Sequence, residues 1–430
     1  MTAETPQRSS LIHNRGYAAW LVSDTAKGLA SALFAFAIPL IALFVTNDPA
    51  QAGIISAVGM VARTLTTLYG GVLADRHARV PMMVRGSLVG VALAAAFTVL
   101  AMADALTFVT LFILELLLAV RSGLFDVAGE AALKEIVPAD AMGRAQAANQ
   151  GRNAVLELAG GPLGGAMLAI GAWAVGTVMA LSHAIAAGAA WLLQRPHVHR
   201  AEAPKSPAKE LFRLVKPSVL REVREGFGWL LARPDLRGVL FVTTIINLGF
   251  SAALTTVIYA LQQAGHSALT IGLLGTGSGA AMLAGAILAP WLVARVRAGV
   301  ILIAGLAVAV VGIVALILVH EPLPLILVLA AVVLFIPAIN AALGGYSMVA
   351  TPTELLGRVN SASMVLGMGA VPLAPLIAGF GLSVIGREKT LLVASVLCVC
   401  AVLLASSNRG LRAIPAESGW SAHAAQFTVR

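Results

Sequence analysis

The chain has 430 residues, of which 59% are apolar and 11% charged, with a mean hydropathy of +0.90. A soluble globular domain carries roughly 45–50% apolar and about 25% charged residues, so a soluble fold is excluded and most of the chain belongs in lipid. The formal charge of +9 is read as a topology and lipid-headgroup signal rather than a nucleic-acid footprint, because the basic residues gather between the apolar runs.

The N-terminus is polar for about fifteen residues and then enters an apolar run too long for a signal peptide, so the first run is read as a retained span. Apolar runs predict spans near Tyr17 to Val45, Ala50 to Ala74, Val80 to Ala103, Leu106 to Phe125, Ala147 to Ile170 and Trp173 to Leu193. Six more are predicted near Leu236 to Gln262, Leu269 to Val293, Val300 to Val319, Leu323 to Tyr346, Val359 to Ile385 and Thr390 to Ser406. The expected fold is an all-α polytopic membrane protein with 12 helices in two six-helix bundles. Residues 1–193 form the first bundle, 194–235 a polar cytoplasmic linker, 236–406 the second bundle and 407–430 a cytoplasmic tail. Of 29 Lys and Arg residues, Lys27, Arg63 and Arg121 are read as within the membrane, Arg387 and Lys389 as outside it and the other 24 as on the cytoplasmic side, Arg85, Arg152 and Arg237 being near the starts of their spans. That bias sets both termini in the cytoplasm of a bacterial-type inner membrane.

Two features recur at one offset. Pro138-x-Asp140-x-x-Gly143-Arg144 follows the fourth span and Pro352-x-Glu354-x-x-Gly357-Arg358 the tenth, 214 residues later. Gly71, near the end of the second span, and Gly285, near the end of the eighth, are also 214 apart. Internal repeats of this kind predict duplicated halves.

Cys398 and Cys400 are the only cysteines and lie in the last apolar run, which provides neither a disulfide framework nor a zinc-ligand spacing. No phosphate-binding Gly-x-x-x-x-Gly-Lys-Ser/Thr loop occurs, so no nucleotide hydrolysis is expected within this chain and energy must come from a gradient or a partner; no cofactor or metal is expected. Intramembrane ionisable groups cost about 2.5–3.5 kcal/mol each on insertion scales and are functional candidates by default. They are Asp24, Lys27, Arg63, Glu115, Arg121 and Glu157. Glu115 and Glu157 are the leading proton-coupling acids, with Asp24, Arg121 and Arg63 beside them. The structural alternative is permanent pairing, Asp24 with Lys27 at i to i+3 or Glu157 with Arg121. His183 is read as a packed side chain. Past Arg237 at the start of its first span, the second half shows no charged residue within its predicted spans, leaving Asn247, Gln262, Asn340, Phe250, Tyr259 and Phe335 to line a mostly apolar wall suited to amphipathic compounds.

Gly71-Val-Leu-Ala-Asp75-Arg76-His-Ala-Arg79 resembles the loop motif of the major facilitator superfamily, with Ala78 where that motif has Gly. Helix count, duplication and linker extend the resemblance over nearly the whole chain. It implies a conformational switch in which Gly71 permits close helix approach and Asp75, Arg76 and Arg79 relay charge to an acid near the end of span four, Asp126 first and Glu130 second. The stretch Arg221 to Arg237 is similar to the lead-in to the seventh helix of enterobactin-exporter-like and macrolide-efflux-like facilitators. Gly160-Gly161-Pro162-Leu163-Gly164-Gly165 resembles the packing motif of drug/proton antiporters. The resemblance implies a monomeric, proton-coupled exporter of a small amphipathic compound, drug-like or siderophore-like, working by alternating access with protons, solute and lipid as its partners. Import of a small metabolite is the alternative. A non-transporting receptor or an intramembrane enzyme ranks lower, since no catalytic motif is present.

Overall fold

The computed structural model describes residues 14–137, 141–193, 219–352 and 355–427, apart from 356–357, 360–361, 364–366 and 368. In chain order the helices are α1 (Arg15–Thr46), α2 (Pro49–Arg76), α3 (Arg79–Met102), α4 (Phe108–Phe125), α5 (Val127–Ile136), α6 (Met142–Ile170) and α7 (Ala172–Leu192). They continue as α8 (Val219–Ala232), α9 (Pro234–Gln263), α10 (Ala268–Arg295), α11 (Ala298–Leu318), α12 (Pro322–Val333) and α13 (Ile336–Ala350). The last are α14 (Leu373–Val384), α15 (Arg387–Ser407), the short α16 (Arg409–Arg412) and α17 (Trp420–Ala425).

Eleven helical stretches among the described residues are long and apolar enough to cross a membrane, with α4–α5 and α12–α13 each making one crossing. The apolar α14 lies within the predicted eleventh span. The chain is therefore an all-α, multi-pass membrane protein of the twelve-helix type. Helices are required there because hydrocarbon offers no partner to an unsatisfied peptide group.

Two compact units follow from the contacts. One comprises Met1–Val45 and Val58–Leu211, the other Thr46–Ala57 and Phe212–Arg430. In the first unit α3 packs along α7. Tyr17, Trp20, Met82, Met83 and Leu133 fill one end of its core.

In the second unit α9 and α11 both pack on α15, and Leu236, Val242, Leu302, Tyr346 and Trp420 share a core. The start of α2 is held in this unit: Asp48 accepts hydrogen bonds from Ala50 N–H (2.8 Å) and Ser383 Oγ (3.2 Å). The residues after α15 fold back on the unit. Asn408 caps α16 by accepting from Leu411 N–H at 3.2 Å, and Ala298 and Gly299 donate to the carbonyls of Pro415 (3.2 Å) and Ile414 (3.3 Å). Arg233 and Asp235 stand at the entry to α9, buried to 2% and 0% exposure. Asp235 accepts from Arg233 Nε at 3.0 Å, from Arg233 Nη2 at 2.8 Å and from the Tyr346 hydroxyl at 2.6 Å. The hydrogen bond to Asp235, and the carboxylate's charge, hold the Arg233 guanidinium above the ordinary arginine range. The second half thus carries a buried charge pair where an uncharged set of spans was expected, because α9 begins two residues earlier than its apolar run.

Candidate functional site

The ionisable groups of the first unit converge where α4 gives way to α5. Asp126 sits at that junction in helical geometry (φ −70°, ψ −29°). Its carboxylate accepts from Ser122 Oγ at 2.6 Å and from Arg121 Nη2 at 3.1 and 3.2 Å. Lys27, from α1, donates to the Asp126 backbone carbonyl at 3.1 Å and stands 4.0 Å from its carboxylate. Lys27 also pairs with Asp24 at 2.7 Å, and Asp24 pairs with Arg152 of α6 at 2.5 Å. Arg121 Nη1 lies 3.4 Å from both Gly86 O and His183 Nδ1, so the imidazole accepts through an unprotonated Nδ1. Three cations and two carboxylates from α1, α4 with its C-terminal cap, and α6 form one largely buried network. A polar cavity of about 10 Å³ lies against it, lined by Ser23, Lys27, Ser87 and Asp126, with room for one water.

Trp20 braces the network. Its Nε1–H donates to Gly129 O at 2.8 Å, and the Arg152 guanidinium lies 5.3 Å from its ring centre. The aromatic face is a favourable seat for a cation held away from water.

Glu115 stands apart, on α4, buried to 8% exposure. Its Oε2 has no hydrogen-bond partner among the described residues, and its carboxylate rests on Gly59 of α2, where an added Cβ would strike it. The fourth crossing runs to Ile136 rather than Phe125, which places Glu115 in its first third.

The structure brings together Asp24, Lys27, Arg121 and Asp126, and it leaves Arg63 and Glu157 on exposed faces of α2 and α6. The alternative pairing of Glu157 with Arg121 is not formed, since Arg121 turns to Asp126 on its own helix. The relay expected from Arg79 to Asp126 is not formed either: Arg79 donates to Ala131 O at 2.9 Å and pairs with Glu135 at 3.1 Å. Arg76 and Glu130 are exposed, and the Asp75 side chain lies outside the described residues. Gly71 faces open space, so the close approach assigned to it belongs to Gly70, whose added Cβ would collide with the backbone carbonyl of Gly123 on α4. Of the two repeated loops, Arg358 pairs with Glu225 at 2.8 Å and Arg144 is exposed. Asp140, Glu354 and Gly357 lie outside the described residues.

The glycines of the fifth crossing pack as small residues should. A Cβ on Gly160 would touch Ala32 at 3.0 Å and one on Gly164 would meet Phe36 at 2.6 Å, both on α1. Gly161 and Gly165 are buried, and Pro162 is inside the helix. Arg152 and His183 are the network members that sequence reasoning missed. Arg152 lies inside the predicted fifth span, only five residues before Glu157, and that position is the signal that could have found it.

Apolar helical crossings with charged side chains buried among them define the class as a multi-pass membrane protein, and the family match below makes it a transporter. The chain belongs to the Major Facilitator Superfamily, whose model matches residues 25–375. Its fold is similar to a bacterial homologue of the iron transporter ferroportin in an inward-facing state (TM-score 0.67, 13% identity, 92% of this chain and 100% of that one). It is also similar to a bacterial homologue of the human lysosomal transporter Spinster, inward-facing and occupied (TM-score 0.67, 14% identity, 93% and 98%). A bacterial metal transporter has TM-score 0.62 at 13% identity, over 91% and 99% of the two chains. No curated protein sequence matches significantly.

Proposed function

We propose that the protein is a proton-coupled secondary exporter of a small amphipathic compound, working by alternating access in a bacterial-type inner membrane as a monomer with cytoplasmic termini. The observation that carries the coupling is Glu115, a buried carboxyl whose Oε2 lacks a hydrogen-bond partner among the described residues. Asp24 and Asp126 each face two cationic side chains. Glu115 is the buried acid outside that network, and an ionisable group placed so within a span is a functional candidate by default.

With the N-terminus inside, the fourth crossing descends from the outer surface. Seven residues into it, at about 1.5 Å per residue, Glu115 lies about 10 Å below that surface. Protons driven inward reach it first. The outward direction for the solute rests on the resemblance of Arg221 to Arg237 to exporter-like facilitators and of the Gly160 to Gly165 motif to drug/proton antiporters. Two of the similar folds are metal transporters by description.

Inside-out vesicles test the reading. Accumulation of an amphipathic dye that collapses with the proton gradient supports it, and Glu115→Gln should retain binding while losing gradient-driven accumulation. Uptake confined to right-side-out vesicles, or unchanged accumulation by Glu115→Gln, would overturn direction or coupling respectively.

A further inference from the structure

We infer that Arg152 is an oxyanion-binding subsite, and that the transported compound bears a carboxylate or phosphate-type group. Naming the solute this way rests on the transporter reading above; the binding site itself does not. The argument begins with charge. Asp24 is already paired with Lys27 at 2.7 Å, and Arg152 is a second cation on the same carboxylate at 2.5 Å. Arg121 and Asp126 answer one another. Among these five groups one positive charge has no internal counterpart, and a buried charge away from water draws an anion strongly.

Hydrogen-bond accounting points to the same atoms. A guanidinium has five N–H groups. Those of Arg152 Nη2 serve Asp24 Oδ2 (2.5 Å) and Asn153 Oδ1 (2.9 Å). Nε and Nη1, with the other three N–H groups, are shielded from solvent and have no acceptor among the described residues. Buried donors are nearly always matched, and an arginine holding unspent N–H groups in a fixed plane fits a planar carboxylate or a phosphate face.

Asn149 stands one turn before Arg152 on α6, at 5% exposure, and its Oδ1 also lacks a partner among the described residues. With its amide turned over, Asn149 adds a further N–H to the same oxyanion. The receptor is preorganised: Asp24 fixes one edge of the guanidinium and the Trp20 ring one face. The Arg152 side chain is 11% exposed through its other atoms and its neighbours Gly151 and Asn153 are exposed, so an anion reaches Nε and Nη1 as the side chains covering them move aside.

Trp20 makes the test optical. Protein in nanodiscs is titrated with hexanoate and butyl phosphate, and with hexyltrimethylammonium as the cationic counterpart, following tryptophan emission against a Trp20→Phe background. Both anions should give a saturable, Trp20-dependent change and the cation none. Arg152→Lys keeps the charge and the Asp24 pair but loses the fork, and should weaken binding tenfold or more. Asn149→Ala leaves Arg152 in place and should weaken it several-fold.

An equal response to the cation, an anion response surviving Arg152→Gln in protein that elutes as wild type, or no response to either anion overturns the subsite. Binding is read without flux. A negative result here leaves the Glu115 proposal standing, and a negative Glu115 result leaves this one standing.

Discussion

Replacing Asp235 by Ala strands a guanidinium in the core of the second unit. Arg233 is 2% exposed and donates to Asp235 through Nε and Nη2, and Tyr346 donates its hydroxyl to the same carboxylate. Removing one partner of a buried ion pair costs about 3–5 kcal/mol, because the remaining charge is neither solvated nor paired. The Tyr346 hydroxyl loses its acceptor at a further cost of about 1–3 kcal/mol. For a unit of this size about 1 kcal/mol moves the melting midpoint by about 2–4 °C, so Asp235→Ala should lower it by roughly 10 °C or more. Fluorescence-detected size-exclusion chromatography after heating reads that shift. The double variant Arg233→Met/Asp235→Leu should recover most of the loss, since apolar replacement of a whole buried pair is often neutral. A midpoint within about 1 °C of wild type for Asp235→Ala, or a double variant no better than the single, would refute the assignment.

Three further outcomes follow from the packing. Gly70→Val should destabilise the first unit by driving a side chain into the α4 backbone, whereas Gly71→Val, facing open space, should melt as wild type does; equal effects would contradict the geometry. Trp420→Ala removes a 5% exposed indole packed on Gly345 and should cost about 3–5 kcal/mol by analogy with other buried aromatics, read as a lowered melting midpoint. Glu115→Gln should leave that midpoint unchanged or raise it, since no hydrogen bond to Oε2 is lost; a marked fall would reveal a structural partner.

The helix count and the family were legible because apolar runs of about 20 residues have few other uses. Asp24, Lys27 and Arg121 were legible for the same reason in reverse, as charges where lipid would be. Arg152 escaped because, although it lies inside the predicted fifth span, Arg144, Gln146, Asn149, Gln150 and Asn153 surround it, so its charge reads as part of the polar connection before the span. Asp235 escaped because Arg233-Pro234-Asp235 looks like the end of a linker, although Pro is favoured in a helix's first turn. The choice between Gly70 and Gly71 was not available to a pattern at all. Adjacent helical positions differ by about 100° in direction, and only the placement of α4 decides which one meets it.

Duplication becomes more informative where it fails. Both units interrupt their fourth crossing, at Asp126 in the first and at Leu334 and Phe335 in the second. Both also bring a glycine of the second crossing onto backbone beside the interruption, Gly70 against Gly123 O and Gly285 against Leu334 O. The glycine approach therefore recurs in both units, one residue out of the 214 register, since the counterpart of Gly285 at that offset is Gly71, which faces open space. The chemistry at the interruption does not. In the second unit the helix restarts on Ile336-Pro337, whose ring prevents a continuous hydrogen-bond ladder, so the break is built into the covalent chain. In the first unit no proline enforces it. Lys27 takes the Asp126 carbonyl, and Arg121, Ser122 and Lys27 surround its carboxylate. A break held by ion pairs responds to whatever changes the charge around it, whereas a break held by proline does not. That contrast assigns sensitivity to charge to the first unit, the unit that also holds Glu115, the acid proposed above to carry the coupling.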